Sequence, residues 1–213
     1  MLNKGITIKA RIGLTMAFLA ALSIAIGILG LFGMSEANDA YRDTFTDQMP
    51  SAKNIGTAEL YVARERLALD RSAFQIGTPD ALKTLERARL MRSISEDAWK
   101  KYMELPRGPE EDRLAQDVVA KRATEYQVAD AFAAAVTAGD QAKLLDLAKQ
   151  LQAAHVELSA ADETLGKLQF KQAKEGYDAA ESSFATFRIV TLVAIVVGLL
   201  AAFFSYITLR GAI

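Results

Sequence analysis

The sequence predicts an all-α protein, an antiparallel up-down four-helix bundle flanked by two transmembrane helices. Three observations carry that prediction. Two uncharged apolar runs, 12–34 and 189–209, stand near the ends of the chain. Three of the four prolines and three of the six glycines between them gather in three short clusters. No stretch shows sustained alternation of apolar and polar residues, which is the mark of a half-buried strand.

Each apolar run exceeds the roughly 20 residues needed to cross a hydrocarbon core of about 30 Å. The first is too long for the apolar part of a cleavable signal peptide, about 7–15 residues, and no small-x-small cleavage site follows it closely. It is therefore read as an uncleaved anchor. Lys4, Lys9 and Arg11 precede it, whereas Glu36, Asp39 and Asp43 follow with only Arg42 between them. The positive-inside rule then places residues 1–11 in the cytoplasm and residues 35–187 outside. The second run, bounded by Arg188 and Arg210, returns the chain to the cytoplasm.

In the outer segment the breakers are Gly77-Thr78-Pro79, Pro106-Arg107-Gly108-Pro109 and Ala138-Gly139-Asp140. They delimit four helical segments, about 35–76, 79–104, 109–137 and 140–187. Thr78 is a candidate N-cap with Pro79 at the first helical position. Pro109 is followed by Glu110, Glu111 and Asp112, whose charges suit a helix N-terminus. In the last segment Leu144, Leu147, Leu151, Ala154, Leu158, Ala161, Leu165 and Leu168 alternate spacings of three and four, the seam of a coiled-coil-like bundle. The pattern then shifts phase and runs on through Phe170, Tyr177 and Phe184 toward the second apolar run, which changes local supercoiling without ending the helix. Short turns between long helices imply antiparallel neighbours.

The first outer helix carries two apolar stripes. Ile55, Val62, Leu69 and Ile76 recur every seven residues, and so do Leu60, Leu67 and Phe74, about 140° around the helix. One stripe can face the core of the bundle. The other either widens that face or predicts a second copy of the chain as partner, a homodimer.

Several chemistries lack the residues they need. Without cysteine there are no thiolate metal sites and no thiol redox chemistry. A net charge of −1 gives no footprint for nucleic acid. His155 is the one histidine, and without a local partner it reads as a boundary residue. Trp99 and Tyr102 read as core or boundary residues of the second outer helix. No glycine-rich phosphate loop and no metal-like acidic cluster is present. The expectation is a protein that is not an enzyme and uses no cofactor.

The stretch RERLALDRSAF, residues 64–74, supplies the positive candidates. Arg64 and Arg71 share the face that borders the Leu60/Leu67/Phe74 stripe, and Arg66 lies about 140° from Arg71. These arginines either pair with Glu59, Glu65 or Asp70, or hold an anion. At a dimer seam, Arg66 of one copy and Arg71 of the other can converge on one carboxylate, which guanidinium groups grip in bidentate fashion.

A basic N-terminus, a span, a helical outer domain and a second span ending LRGAI resemble the N-terminal part of bacterial methyl-accepting chemotaxis receptors. The resemblance is closest to the four-helix-bundle class of the aspartate and serine receptors. The first sensor helix of that class reads R-x-x-L-x-R-S-A-x-R, and Arg66, Leu69, Arg71, Ser72 and Ala73 fill the pattern in order. The resemblance implies a periplasmic domain in the bacterial inner membrane whose arginines hold a ligand across a dimer interface. Gln75 stands where the pattern has its third arginine, and Asp70 where a small polar residue is usual beside the ligand. An aromatic pair that supports amino-acid binding has no counterpart around Lys143, Leu144 and Leu145. The expected ligand is therefore a small organic acid rather than an amino acid, held by Arg66 and Arg71, with Arg64, Gln75 and Asp70 as further candidates. Residues 210–213 resemble the start of a HAMP linker, so the chain is expected to be a sensor-and-membrane piece of a longer receptor. Two alternatives stay open: the input domain of a histidine kinase or cyclase, and a docking domain for a periplasmic binding protein.

Overall fold

The computed structural model describes residues 7–210. Lys4 and residues 211–213 of the expected linker lie outside the described residues. Among the described residues five α-helices follow one another: α1 (Ile8–Asp43), α2 (Met49–Phe74), α3 (Pro79–Met103), α4 (Pro109–Ala138) and α5 (Gln141–Arg210). Among the described residues there is no strand. Two compact units form, one of residues Asp43–Lys174 and one of the helix lengths on either side of it.

The expected helix 35–76 is interrupted by a π-helical turn at Thr44–Gln48, closed by the Met49 N–H donating to the Thr44 carbonyl. Its cause is local. Pro50 has no N–H to give, and its ring crowds the carbonyl four residues earlier, so the turn before it widens.

The other boundaries fall where the breakers predict, though one mechanism differs. Thr78 does stand at the N-cap of α3, but its hydroxyl caps nothing there and donates instead to the Gln75 carbonyl at 2.6 Å. Pro79 alone starts the helix. After α4, Gly139 takes φ 72°, with its N–H on the Val136 carbonyl and the Asp140 N–H on the Ala135 carbonyl. These two bonds make a Schellman motif, which needs a left-handed residue at this position. A Cβ on Gly139 would meet no atom within 4 Å. Gly139→Ala should therefore lose only the backbone term, about 1 kcal/mol of unfolding free energy, read by denaturant titration of the helical signal.

Within Asp43–Lys174 the four helices pack as an antiparallel bundle. The start of α2 (Ile55, Ala58, Val62) packs with the end of α3 (Ala98, Trp99, Tyr102), the start of α4 (Ala115, Val118) and Leu158, Ala161 and Leu165 of α5. A second cluster joins the end of α2 (Ala68, Leu69), the start of α3 (Ala81, Leu85, Ala88), the end of α4 (Ala129, Phe132, Val136) and the start of α5 (Leu144, Leu151). Trp99 and Tyr102 are core residues, as expected, with ring centroids 5.0 Å apart. The α5 seam is also as expected: every member from Leu144 to Leu168 is buried except the half-buried Leu147.

Between the two clusters lies a polar layer that occupies core positions of the same heptad seams. In α4 the seam runs Ala115, Val118, Arg122, Glu125, Ala129, Phe132, all buried. In α2 it runs Ala58, Val62, Glu65, Leu69, and in α3 Ala88, Arg92, Ser95, Trp99. Arg122 donates to Ser95 Oγ (2.8 Å) and Tyr126 Oη (2.7 Å), and Ser95 in turn donates to the Ala58 carbonyl (2.7 Å). Arg92 bridges Glu65 (2.7 Å) and Asp130 (2.6 Å). The bundle is thus tied together by charge-assisted bonds between helices as well as by apolar packing.

In the other unit α1 and α5 run side by side in opposite directions. Thr15 and Ser205 share a hydroxyl hydrogen bond of 3.0 Å, a Cβ on Gly198 would come within 2.8 Å of Leu22, and Gly33 lies against Phe187. Both α1 and α5 contain a stretch long and apolar enough to cross a membrane. Its large side chains, among them Phe18, Ile24, Leu31, Val196 and Leu200, are exposed rather than packed.

Candidate functional site

The sequence candidates all lie in the last three turns of α2 and just beyond, and the structure divides them between two faces. On the outward face Leu60, Arg64, Leu67, Arg71 and Phe74 follow spacings of four and three, so they form one seam. Leu60 is 48% exposed, Leu67 61% and Phe74 92%. The other stripe, Ile55, Val62 and Leu69, is buried, with Ile76 half-buried. The expected separation of the two stripes is therefore present in the fold.

Arg64 stacks over the Tyr61 ring, its guanidinium carbon 4.9 Å from the centroid. Arg64 and Arg71 also line a cavity of about 520 Å³ between α2 and α3, where Lys83 and Arg87 meet them from α3. Leu67 and Met91 supply its apolar part. Lys83 and Arg87 escaped the sequence reading. They lie four residues apart and so share one face of α3, but only the packing of α3 on α2 brings them to Arg64 and Arg71.

Arg66 lies elsewhere. Its guanidinium donates to the Gln152 side chain of α5 and stands 3.9 Å from Asp70. Asp70 is thereby placed as a partner of Arg66. The positive charge of Arg66 also acts on Glu125, whose carboxyl is pushed up by burial and drawn back by His155, Arg66 and Arg122. His155 has a partner after all: its Nδ1 is 3.0 Å from Glu125 Oε1, supplied by α4 and invisible along α5. Gln75 ends α2, and its Oε1 accepts the Thr84 hydroxyl at 2.6 Å, which pins the end of α2 to α3 beside the cavity.

Deeper in the bundle, burial pushes the carboxyls of Glu65 and Asp162 up to about 7. Arg92 partly opposes this at Glu65, and Arg122 at Asp162. A signal for these groups was present in the sequence, since Glu65, Arg92, Arg122 and Glu125 interrupt heptads that are otherwise apolar or small. Among the described residues no group of acidic, histidine or cysteine side chains could hold a metal ion.

The fold is an all-helical bundle with a cationic outward face, on a chain whose first and last helices hold the apolar stretches. Residues 1–173 match the family model of the Tar ligand binding domain homologue, and the chain belongs to that family. It is the sensor domain of a methyl-accepting chemotaxis receptor, a membrane receptor with a periplasmic domain. No curated protein and no solved structure matches the chain.

Proposed function

We propose that this chemoreceptor domain senses a small carboxylate, an organic acid rather than an amino acid, at a homodimer seam along the outward face of α2. The chain crosses the inner membrane at 12–34 and 189–209 with its N-terminus in the cytoplasm, and 35–187 is periplasmic. The interhelical hydroxyl pair and the glycine approaches between α1 and α5 support two adjacent spans, because membrane helices associate through small residues and hydrogen bonds.

The observation that carries the ligand reading is the alternation Leu60, Arg64, Leu67, Arg71, Phe74 on an exposed seam. Two copies packed in parallel through this face would bury the leucines and phenylalanine. The same packing would bring like charges together, which is unfavourable unless an anion lies between them. A carboxylate that bridges Arg71 of one copy and an arginine of the other therefore favours the dimer. Arg66 can take part only by giving up its bond to Gln152. Binding then shifts a helix by about 1–2 Å, a known class of allosteric motion. The single helix α5, Gln141–Arg210, is the element that carries the shift toward the cytoplasm. The domain performs no catalysis in this reading.

Calorimetric titration of the full chain in lipid nanodiscs with di- and tricarboxylates, aromatic acids and amino acids tests the proposal. Arg71→Ala should raise Kd by about 10–100-fold, the equivalent of one or two charge-assisted hydrogen bonds. An unchanged affinity in that variant would remove Arg71 from the site and with it the proposed seam.

A further inference from the structure

We infer that the cavity between α2 and α3 is an anion site complete within one protomer, built for a compact polyanion with about three negative charges. The inference rests on the reading of this domain as an anion sensor, but places the anion between two helices of one protomer rather than across the dimer seam. Arg64 and Arg71 reach the cavity from α2, Lys83 and Arg87 from α3, and none of the residues lining it is acidic. Arg71 and Arg87 have no ion-pair partner among the described residues, and Arg64 only stacks on Tyr61. Lys83 alone meets a carboxylate, Asp80 at 3.1 Å. Three cations are left uncompensated.

Several cations elsewhere on the bundle are already paired. Arg92, which lines a cavity of about 510 Å³ on the other side of α3, is held by both Glu65 and Asp130. Lys121 is held by Glu157, Lys167 by Glu163 and Arg107 by Asp112. Gathering four cations around one opening works against their mutual repulsion, and an anion with several charges is what relieves it.

The shape and chemistry suit a small ligand. About 520 Å³ is within the range of small-molecule sites, and Leu67 and Met91 give a carbon skeleton an apolar surface. Three arginines provide planar forks for carboxylate or phosphate oxygens, and Lys83 a mobile point charge. The hydrogen bond from Thr84 to Gln75 holds α3 against the end of α2 beside the cavity.

The test is titration of the full chain in nanodiscs with succinate, tricarballylate and pyrophosphate, for the parent and for Arg87→Ala, Lys83→Ala and Arg66→Ala. Tricarballylate or pyrophosphate should bind at least tenfold more tightly than succinate, one per protomer, and more weakly as salt rises. Preference for tricarballylate names a polycarboxylate and preference for pyrophosphate a phosphate, and either supports the site. Arg87→Ala and Lys83→Ala should each weaken binding by roughly tenfold or more, with Arg66→Ala close to the parent. Loss with Arg66→Ala but not with Arg87→Ala would overturn this site and leave the dimer-seam carboxylate reading standing. No binding of any anion would overturn both. Arg87→Lys should recover part of the affinity, which a merely misfolded Arg87→Ala would not predict.

Discussion

Replacement of Arg122 by methionine is expected to destabilise the bundle by about 3–5 kcal/mol at pH 8. Arg122 is 4% exposed and sits at a core position of α4. It donates to Ser95 and Tyr126, and its guanidinium carbon lies 5.2 Å from the Trp99 ring and 5.4 Å from the Tyr126 ring. Its charge also offsets Asp162 and Glu125, both buried. Methionine keeps much of the apolar stem but removes that charge, so two carboxyls remain in the interior with less to compensate them. Removing a buried charge is costly because the opposite charges that it offset are left behind. The check is a double-mutant cycle with Asp162→Asn, read by denaturant unfolding of the full chain in detergent. The second substitution should recover part of the loss. Strictly additive effects would show that Arg122 and Asp162 do not act on one another.

Asp162→Asn alone should stabilise the bundle, and by an amount that grows with pH. Burial raises the Asp162 carboxyl to about 7, from an ordinary aspartate value near 3.9. Between those values the folded protein keeps a proton that the unfolded chain has released. The folded state binds more protons in that window, so stability falls as pH rises through it and levels off above about 7. The asparagine variant has no such carboxyl. Its gain should be near zero around pH 4 and reach on the order of 2–4 kcal/mol above pH 7. Glu65, also raised to about 7 by burial, adds a slope of the same sign that the variant retains. Unfolding midpoints in denaturant across pH 4–8 for both proteins measure the difference. Parallel curves would mean that Asp162 ionises as freely in the fold as out of it.

Both predictions concern residues that the sequence reading passed over, although it described the helices around them. The helix of Arg122 was legible because Pro109, Gly139 and the apolar spacing between them are local signals. That Arg122 and Glu125 fall in the apolar phase of that helix was legible as well. What sets their behaviour, namely Ser95, Asp162 and His155, comes from α3 and α5. For His155 the sequence reading found no partner because none exists along α5. The same division holds at the candidate site. Seven-residue spacing puts Arg64 and Arg71 on one face and puts Arg66 on another, and both placements follow from helix geometry alone. Neither the Gln152 partner of Arg66 nor the arrival of Lys83 and Arg87 beside Arg71 follows from it.

By itself, then, the sequence determined the helices, the turns at Gly77, Gly139, Pro79 and Pro109, the two apolar stretches, the seam of α5 and the two stripes of α2. Each of these depends on spacing within one segment or on the backbone chemistry of one residue. Only the tertiary structure decided which charged groups meet. The rotation of one helix against the next is set by the packing of all four. In a bundle, that rotation selects whether a guanidinium faces a carboxylate, a glutamine or an open cavity.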